Sequence, residues 1–151
     1  MPLRADLASL HRWGFGDPGP LRDELTAAAL SGAKTTTASL LADFEIEGEE
    51  LPEVGQRDIL IDSAGQPVAV VETITCRISR LADVDDQHAI DEGEGYADAG
   101  DFRVEHERYW NSYIDQVRAK LGDPTFTLGD DTPIVLERFR IVERLDPGEA
   151  G

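Results

Sequence analysis

Cysteine is nearly absent from this chain, and a lone Cys76 excludes an internal disulfide as well as any cysteine-based metal cage. No apolar run approaches the roughly 18–20 residues that a membrane-crossing helix needs. The opening stretch MPLRADLASLHRWGFGDPGP contains no apolar segment of the signal-peptide kind, so the cytoplasm is the expected compartment, with no membrane partner. Basic residues are also scarce. Fourteen lysines and arginines face thirty-one acidic residues, a formal net charge of −17. A field of that sign repels long polyanions, whereas nonspecific nucleic-acid binders usually carry a basic stripe. Small neutral ligands and single nucleosides are not penalised in this way.

What is present suits one soluble domain spanning residues 1–151, with loose ends expected over 1–12 and 146–151. The segment GDPGPLRDELTAAALSG reads as a helix. Prolines and an acidic first turn at Asp23 and Glu24 start it, a stripe of Leu21, Leu25, Ala28 and Ala29 runs along it, and Gly32 ends it. KTTTASLL is short and β-branched, hence a strand; the acidic FEIEGEELPEVGQ reads as a loop. RDILI and PVAVVETITCRISRL flank a turn at Ser63–Gln66 and form a hairpin. Period two puts Val68, Val70, Ile74, Cys76 and Ile78 on one face of its second strand. FRVEHERYWNSYIDQVRAKLG is helical, with Phe102, His106, Tyr109, Tyr113 and Val117 on one face, and TPIVLERFRIVERL is a last strand. The interleaving of helices and strands gives an α+β class, with a small curved or barrel-like sheet and helices at its rim.

Few motifs carry chemistry. His11, His88 and His106 are widely separated, HERYW lacks the second histidine of a zinc helix, and the carboxylates of 83–101 do not follow calcium-loop spacing, so no metal is expected. Nucleophile elbows and phosphate loops are missing, and mid-strand Cys76 reads as a small core residue.

What remains is SGAKTTTASL, with one of only two lysines set between a glycine and three threonines. Its bland reading is a cation beyond a helix C-terminus, followed by an edge strand. Its chemical reading is a desolvated Lys34 that takes a proton from a threonine hydroxyl. Lys34 and Thr37 meet only if the chain turns near Lys34, because positions i and i+3 of a strand face opposite ways. Glu92 in HAIDEGEG is a second candidate, flanked by a glycine that lets backbone approach a ligand.

The run SGAKTTTASL resembles the Gly-x-Lys signature of ASCH domains, members of the PUA-like superfamily. WGFGD before it, and PVAVVETITC, DEGEG, VEHERYW and PIVLERFRIVERL after it, stand in the order found in longer bacterial ASCH proteins. The resemblance implies a small mixed PUA-like β-barrel with helices packed at its side and rim, and a cleft between them. One branch of the family comprises amidohydrolases that deacetylate N(4)-acetylcytidine with a Lys, a Thr and a Glu. The match carries these onto Lys34, Thr37 and Glu92, with Gly32, Thr35 and Ser39 as substrate-binding positions. Ser39 stands where the signature often has an arginine. The chain also has added length over Phe44–Gly55 and Phe102–Leu121, able to reshape or cover the cleft.

These readings imply a cofactor-free amidohydrolase acting on an N-acylated cytosine nucleoside or similar amide. Backbone N–H groups of Gly32–Thr35 would hold the oxyanion. Lys34 would act as base and Glu92 as acid, or Glu92 as base with Lys34 as electrostatic stabiliser. Two alternatives belong to other classes: an RNA-binding or RNA-cutting module using Arg138 and Arg140, which share a strand face, and a non-catalytic sensor of a nucleoside-like ligand.

Overall fold

The structure is a computed structural model and describes residues 4–145. Five strands form one mixed sheet: β1 (Arg12–Trp13), β2 (Thr36–Leu40), β3 (Arg57–Ile61), β4 (Pro67–Arg80) and β5 (Pro133–Arg144), in the order β1-β3-β4-β5-β2. Only β1 and β3 run parallel; the other neighbours are antiparallel. Five helices pack on it: α1 (Pro20–Ser31), α2 (Leu41–Glu47), α3 (Asp86–Asp91), α4 (Ala99–Asn111) and α5 (Ile114–Leu121). None is long and apolar enough to cross a membrane.

The α+β class holds, but the sheet does not close into a barrel. Its edge strands β1 and β2 lie at opposite ends of the order, and β1 is only two residues long. Alongside β2, the backbone groups of α3 take the place of a sixth strand. Thr35 N–H donates to the Asp91 carbonyl at 2.8 Å, and the Thr36 hydroxyl donates to the His88 carbonyl at 3.0 Å. α3 thus docks against the start of β2, where a neighbouring strand would otherwise begin.

Three apolar clusters hold the layers together. Leu40, Phe102, Trp110, Val117, Ile134 and Leu136 join β2 and β5 to α4 and α5. Phe15, Ala29, Leu60, Ala69, Val71 and Phe139 pack α1 against the middle of the sheet. Leu7, Ile59, Val70 and Leu145 form the third.

Several local expectations are corrected here. Phe44–Glu47 is helical rather than loop: Leu41, Ala42 and Phe44 begin a turn that buries Ala42, and Gly48 ends it at φ 66°. α1 is capped by Gly19 and ends at Gly32 as the sequence indicates, at φ 87°. The stripe on β4 is broken, because the register with β5 shifts at Val70/Val71 and again at Thr73/Thr75. The second inserts Ile74 into β4 and turns the following side chains over; Ile74 and Ile78 are exposed while Thr73 and Ser79 are buried. The long helical stretch splits at Ser112–Tyr113 into α4 and α5, and both bury their apolar face.

Residues 4–12 are not loose. Leu7 is 6% exposed within the third cluster, and the His11 carbonyl accepts from Ile59 N–H at 2.8 Å. The expectation for 146–151 lies outside the described residues. Leu7→Ala should therefore cost about 2–5 kcal/mol, the range for a buried leucine, read by urea unfolding. A change within error would return the N-terminus to a passive role.

Candidate functional site

The chain does turn at Lys34, and the reason is geometric. Gly32, in the left-handed region, stops α1 and donates to the Ala29 carbonyl, and Lys34 N–H donates to the Ala28 carbonyl at 3.1 Å. The chain turns here before β2 begins at Thr36, as a meeting of Lys34 with Thr37 requires. A second glycine fixes the other side. A Cβ on Gly93 (φ 69°) would lie 2.4 Å from the Ala33 carbonyl oxygen and 2.7 Å from Lys34 N. The glycine beside Glu92 thus serves an approach of backbone to backbone, pressing the end of α3 onto the turn that carries Lys34.

Lys34 is 2% exposed, and its Nζ meets only oxygen. It donates to the Thr36 carbonyl at 2.8 Å, to the Glu92 carbonyl and Oε1 at 3.3 Å each, and to Glu94 Oε2 at 3.4 Å. The Phe15 ring covers it, 5.3 Å from centroid to nitrogen. Four acceptors and no donor describe an ammonium held in place, so the surroundings favour Lys34 as a fixed positive charge over Lys34 as a free base.

Glu92, 1% exposed, is held on three sides. Besides Lys34, it accepts from His88 Nε2 at 2.8 Å, and His106 Nε2 lies 3.5 Å away. His106 is itself oriented by Nδ1–H donating to the Phe102 carbonyl at 2.9 Å. Burial pushes the Glu92 carboxyl up, but the Lys34 charge and the two histidines outweigh it and hold it well below the usual carboxylate range. Glu94 differs: burial raises it, Lys34 offsets only part, and the neighbouring Glu92 adds to the rise. Tyr96 donates to Glu94 Oε1 at 3.4 Å.

These groups form the floor of a cavity of about 360 Å³. Lys34, Thr37, Glu92 and Ser39 all line it. Gly32 and Thr35 are not among its lining residues: Gly32 is spent on the helix end, and the Thr35 hydroxyl turns to the Asp91 carbonyl and Arg138. Nor are the expected oxyanion donors free, since the N–H groups of Gly32, Lys34 and Thr35 donate to Ala29, Ala28 and Asp91 carbonyls and that of Ala33 to the Ser31 hydroxyl. Both stretches of added length reach the cavity, through Phe44, Glu49 and Glu50 on one side and Glu105, His106 and Tyr109 on the other.

Seven carboxylate residues line the cavity against one lysine and two histidines. Among them are Asp58 on β3, buried and bound to the Gln56 amide at 3.1 and 3.2 Å, and Glu137 on β5. Burial, with Asp58 adding, pushes the Glu137 carboxyl up to about 7. Cys76, its cross-strand neighbour, is half-buried, with its thiol pushed up by burial and by Glu137 to about 11, which leaves it unreactive near neutrality.

Glu92, Glu94 and His106 present ligand atoms within 4.8 Å of one another. A divalent ion there would meet the Lys34 ammonium, which already lies 3.3 and 3.4 Å from the two carboxylates. The cluster has its cation, and the donor set fits a lysine better than a metal.

Sequence reasoning passed over His88, His106, Glu94 and Glu137. The His88–Glu92 pair was readable as i, i+4 on one helix, and Glu137 as a charge on the Val135–Phe139 face of β5. His106 reaches Glu92 only through the packing of α4, which no spacing reveals.

Glu92 and Glu137 should titrate with opposite sign. The depressed Glu92 adds stability that is fully present above the unfolded value, about 4.3, and is lost as pH falls. Glu92→Gln should cost about 3–5 kcal/mol at pH 7, as for breaking a buried pair, with the gap narrowing below about pH 4. Glu137 is raised, so its ionisation costs stability as pH climbs through about 7. Glu137→Gln should match the wild type near pH 4 and exceed it by up to about 3 kcal/mol at pH 8. Denaturant titrations across pH 4–8 check both slopes.

A family model for the ASCH domain matches residues 11–143. A solved structure of a protein from Enterococcus faecalis V583, of the family DUF984, is 27% identical with a TM-score of 0.78, covering 93% of this chain and 81% of that one. The ASCH domain structure from Lactobacillus crispatus JV V101 is 22% identical with a TM-score of 0.75, over 91% and 82% of the two chains, and shares the fold. No curated protein matches the sequence. With the family model spanning residues 11–143 and the fold shared with both solved structures, this protein belongs to the ASCH domain family.

Proposed function

We propose that the protein is a metal-independent amidohydrolase that removes the acyl group from an N-acylated cytosine nucleoside or a similar small amide. The observation that carries this reading is the buried Lys34 ammonium, fixed by Glu92 and Glu94 on the floor of a cavity that Thr37 also lines. A preset positive charge beside a hydroxyl is what acyl transfer needs.

In this reading Thr37 Oγ attacks the amide carbonyl, and Lys34 stabilises the oxyanion that the spent backbone N–H groups cannot. Glu92 holds Lys34 in place rather than moving a proton, because a strongly depressed carboxyl is a poor acid. Glu94, raised by burial and adjacent to Lys34, hands its proton to the leaving amine. Trp13, Phe15, Tyr96, Tyr109 and Trp110 give the cavity aromatic walls suited to a planar base.

The acidic lining supports a free nucleoside or base over RNA or a nucleotide, since phosphate would meet seven carboxylate residues. The arginines of the RNA reading are occupied: Arg138 pairs with Asp91 at 2.8 Å, and Arg140 and Arg57 share Glu72. A basic track across this strand face would have to break those pairs.

The test is release of acetate from N(4)-acetylcytidine. Lys34→Ala and Thr37→Ala should each lower kcat/KM by at least about 10³-fold, in the range of a lost oxyanion donor or nucleophile. Turnover should change little between low and high salt, whereas binding through phosphates would fall steeply. No turnover of any N-acylated cytosine by the wild type would remove the reading.

A further inference from the structure

The site as described leaves one proton without a destination. Thr37 must lose its hydroxyl proton to attack, yet Lys34 is engaged as a donor and Glu92 is tied to three cations or N–H groups. The needed acceptor is on the neighbouring strand. Thr37 and Glu137 are direct register partners in the antiparallel β2–β5 pair. Side chains so paired share a face, with Cβ atoms about 4.5–5.5 Å apart. Both line the cavity. The adjacent pairs Thr36–Arg138 and Ala38–Leu136 turn the other way: Thr36 and Arg138 reach α3, and Leu136 and Ala38 enter the helix-side core. Among the described residues, the Glu137 carboxyl feels burial and Asp58, with no hydrogen bond to lower it.

We propose that Glu137 is a catalytic residue of this cavity, the general base that takes the Thr37 proton. The inference rests on the amidohydrolase reading and completes it. In the first half-reaction the Thr37 Oγ–H proton passes to the Glu137 carboxylate as the Oγ–C bond forms. The C–N bond breaks, and Glu94 gives its proton to the leaving amine. In the second half a water proton passes to the Glu94 carboxylate as the water oxygen attacks the acyl carbon. The ester C–O bond breaks, and Glu137 returns its proton to Thr37 Oγ. Both carboxyl groups end as they began, and no other reactant is consumed. A carboxyl poised near neutrality, as burial makes this one, suits such a shuttle.

Other groups facing Glu137 are Asp58 from β3 and the Cys76 thiol from β4. At the same cavity stand His11 before β1 and Glu49 and Glu50 after α2. The floor adds Lys34, Glu92 and Glu94, and α4 adds Glu105 and His106. With this many titratable groups around Glu137, substitution rather than pH alone assigns the limb.

The experiment is the pH profile of kcat/KM for N(4)-acetylcytidine between pH 5 and 9 in wild type, Glu137→Gln, Glu137→Asp and His11→Gln. The wild type should rise with pH through about 7 as Glu137 ionises, and fall again at higher pH as Glu94 loses the proton it donates. Glu137→Gln should lose about 10²–10⁴-fold, mostly in kcat, and lose the acidic limb. Glu137→Asp, which keeps a carboxylate, and His11→Gln should both retain the limb. Glu137→Gln activity within about threefold of wild type, a loss confined to KM, or a surviving limb would overturn the proposal. If the wild type hydrolyses no amide, acylation of Thr37 by 4-nitrophenyl acetate, read by peptide mass spectrometry, separates the two ideas. Labelling that disappears in Glu137→Gln upholds Glu137 as base while the amidohydrolase reading falls. Equal labelling in the variant, or none in the wild type, overturns both.

Discussion

A lysine ammonium buried among four oxygens organises this molecule. Taking such a charge out of water is costly, and the cost is offset only where acceptors are placed around it with good geometry. Here the placement draws on three parts of the chain: the turn after α1, the first residues of β2 and the end of α3. Gly93 lets α3 approach closely enough, and His88 and His106 orient Glu92 from the other side. The docking of α3 that brings Glu92 to Lys34 also covers the start of β2, so the charged cavity floor and this end of the sheet arise from one packing arrangement.

The buried charge also explains how the work is divided among the carboxyl groups. Glu92 faces Lys34 and two imidazoles and is held ionised. Glu94 shares the same lysine but feels Glu92 as well, and burial prevails. Glu137 is raised by burial, with Asp58 adding, to about 7. Three of the glutamates lining the cavity thus take different characters from their neighbours, the kind of difference that sets acid and base roles apart in one site.

Much of this was legible before the fold was known, and what was not has identifiable reasons. α1, its glycine stop and the β3–β4 hairpin rest on local signals and stand as read. The turn at Lys34 was a condition stated from strand periodicity, and the backbone meets it. Failures cluster where long-range packing decides. The bulge at Ile74 turns over the faces of β4, α3 docks where a strand would otherwise begin beside β2, and α4 brings His106 to Glu92 across fourteen positions. Leu7 escaped notice because its segment forms turns rather than a regular element, so its burial comes from long-range packing against Ile59, Val70 and Leu145. Glu137 was hidden by its neighbours Arg138 and Arg140, whose charge drew attention to the opposite face of the strand.

The most direct measurement is a crystal structure of Thr37→Ala with N(4)-acetylcytidine bound. The expected arrangement has the acetyl carbonyl oxygen against Lys34 Nζ, the acyl carbon above position 37 and beside Glu137, and the cytosine ring between the aromatic walls. A ligand whose carbonyl points away from Lys34, or one bound outside this cavity, would contradict the role given to the buried ammonium.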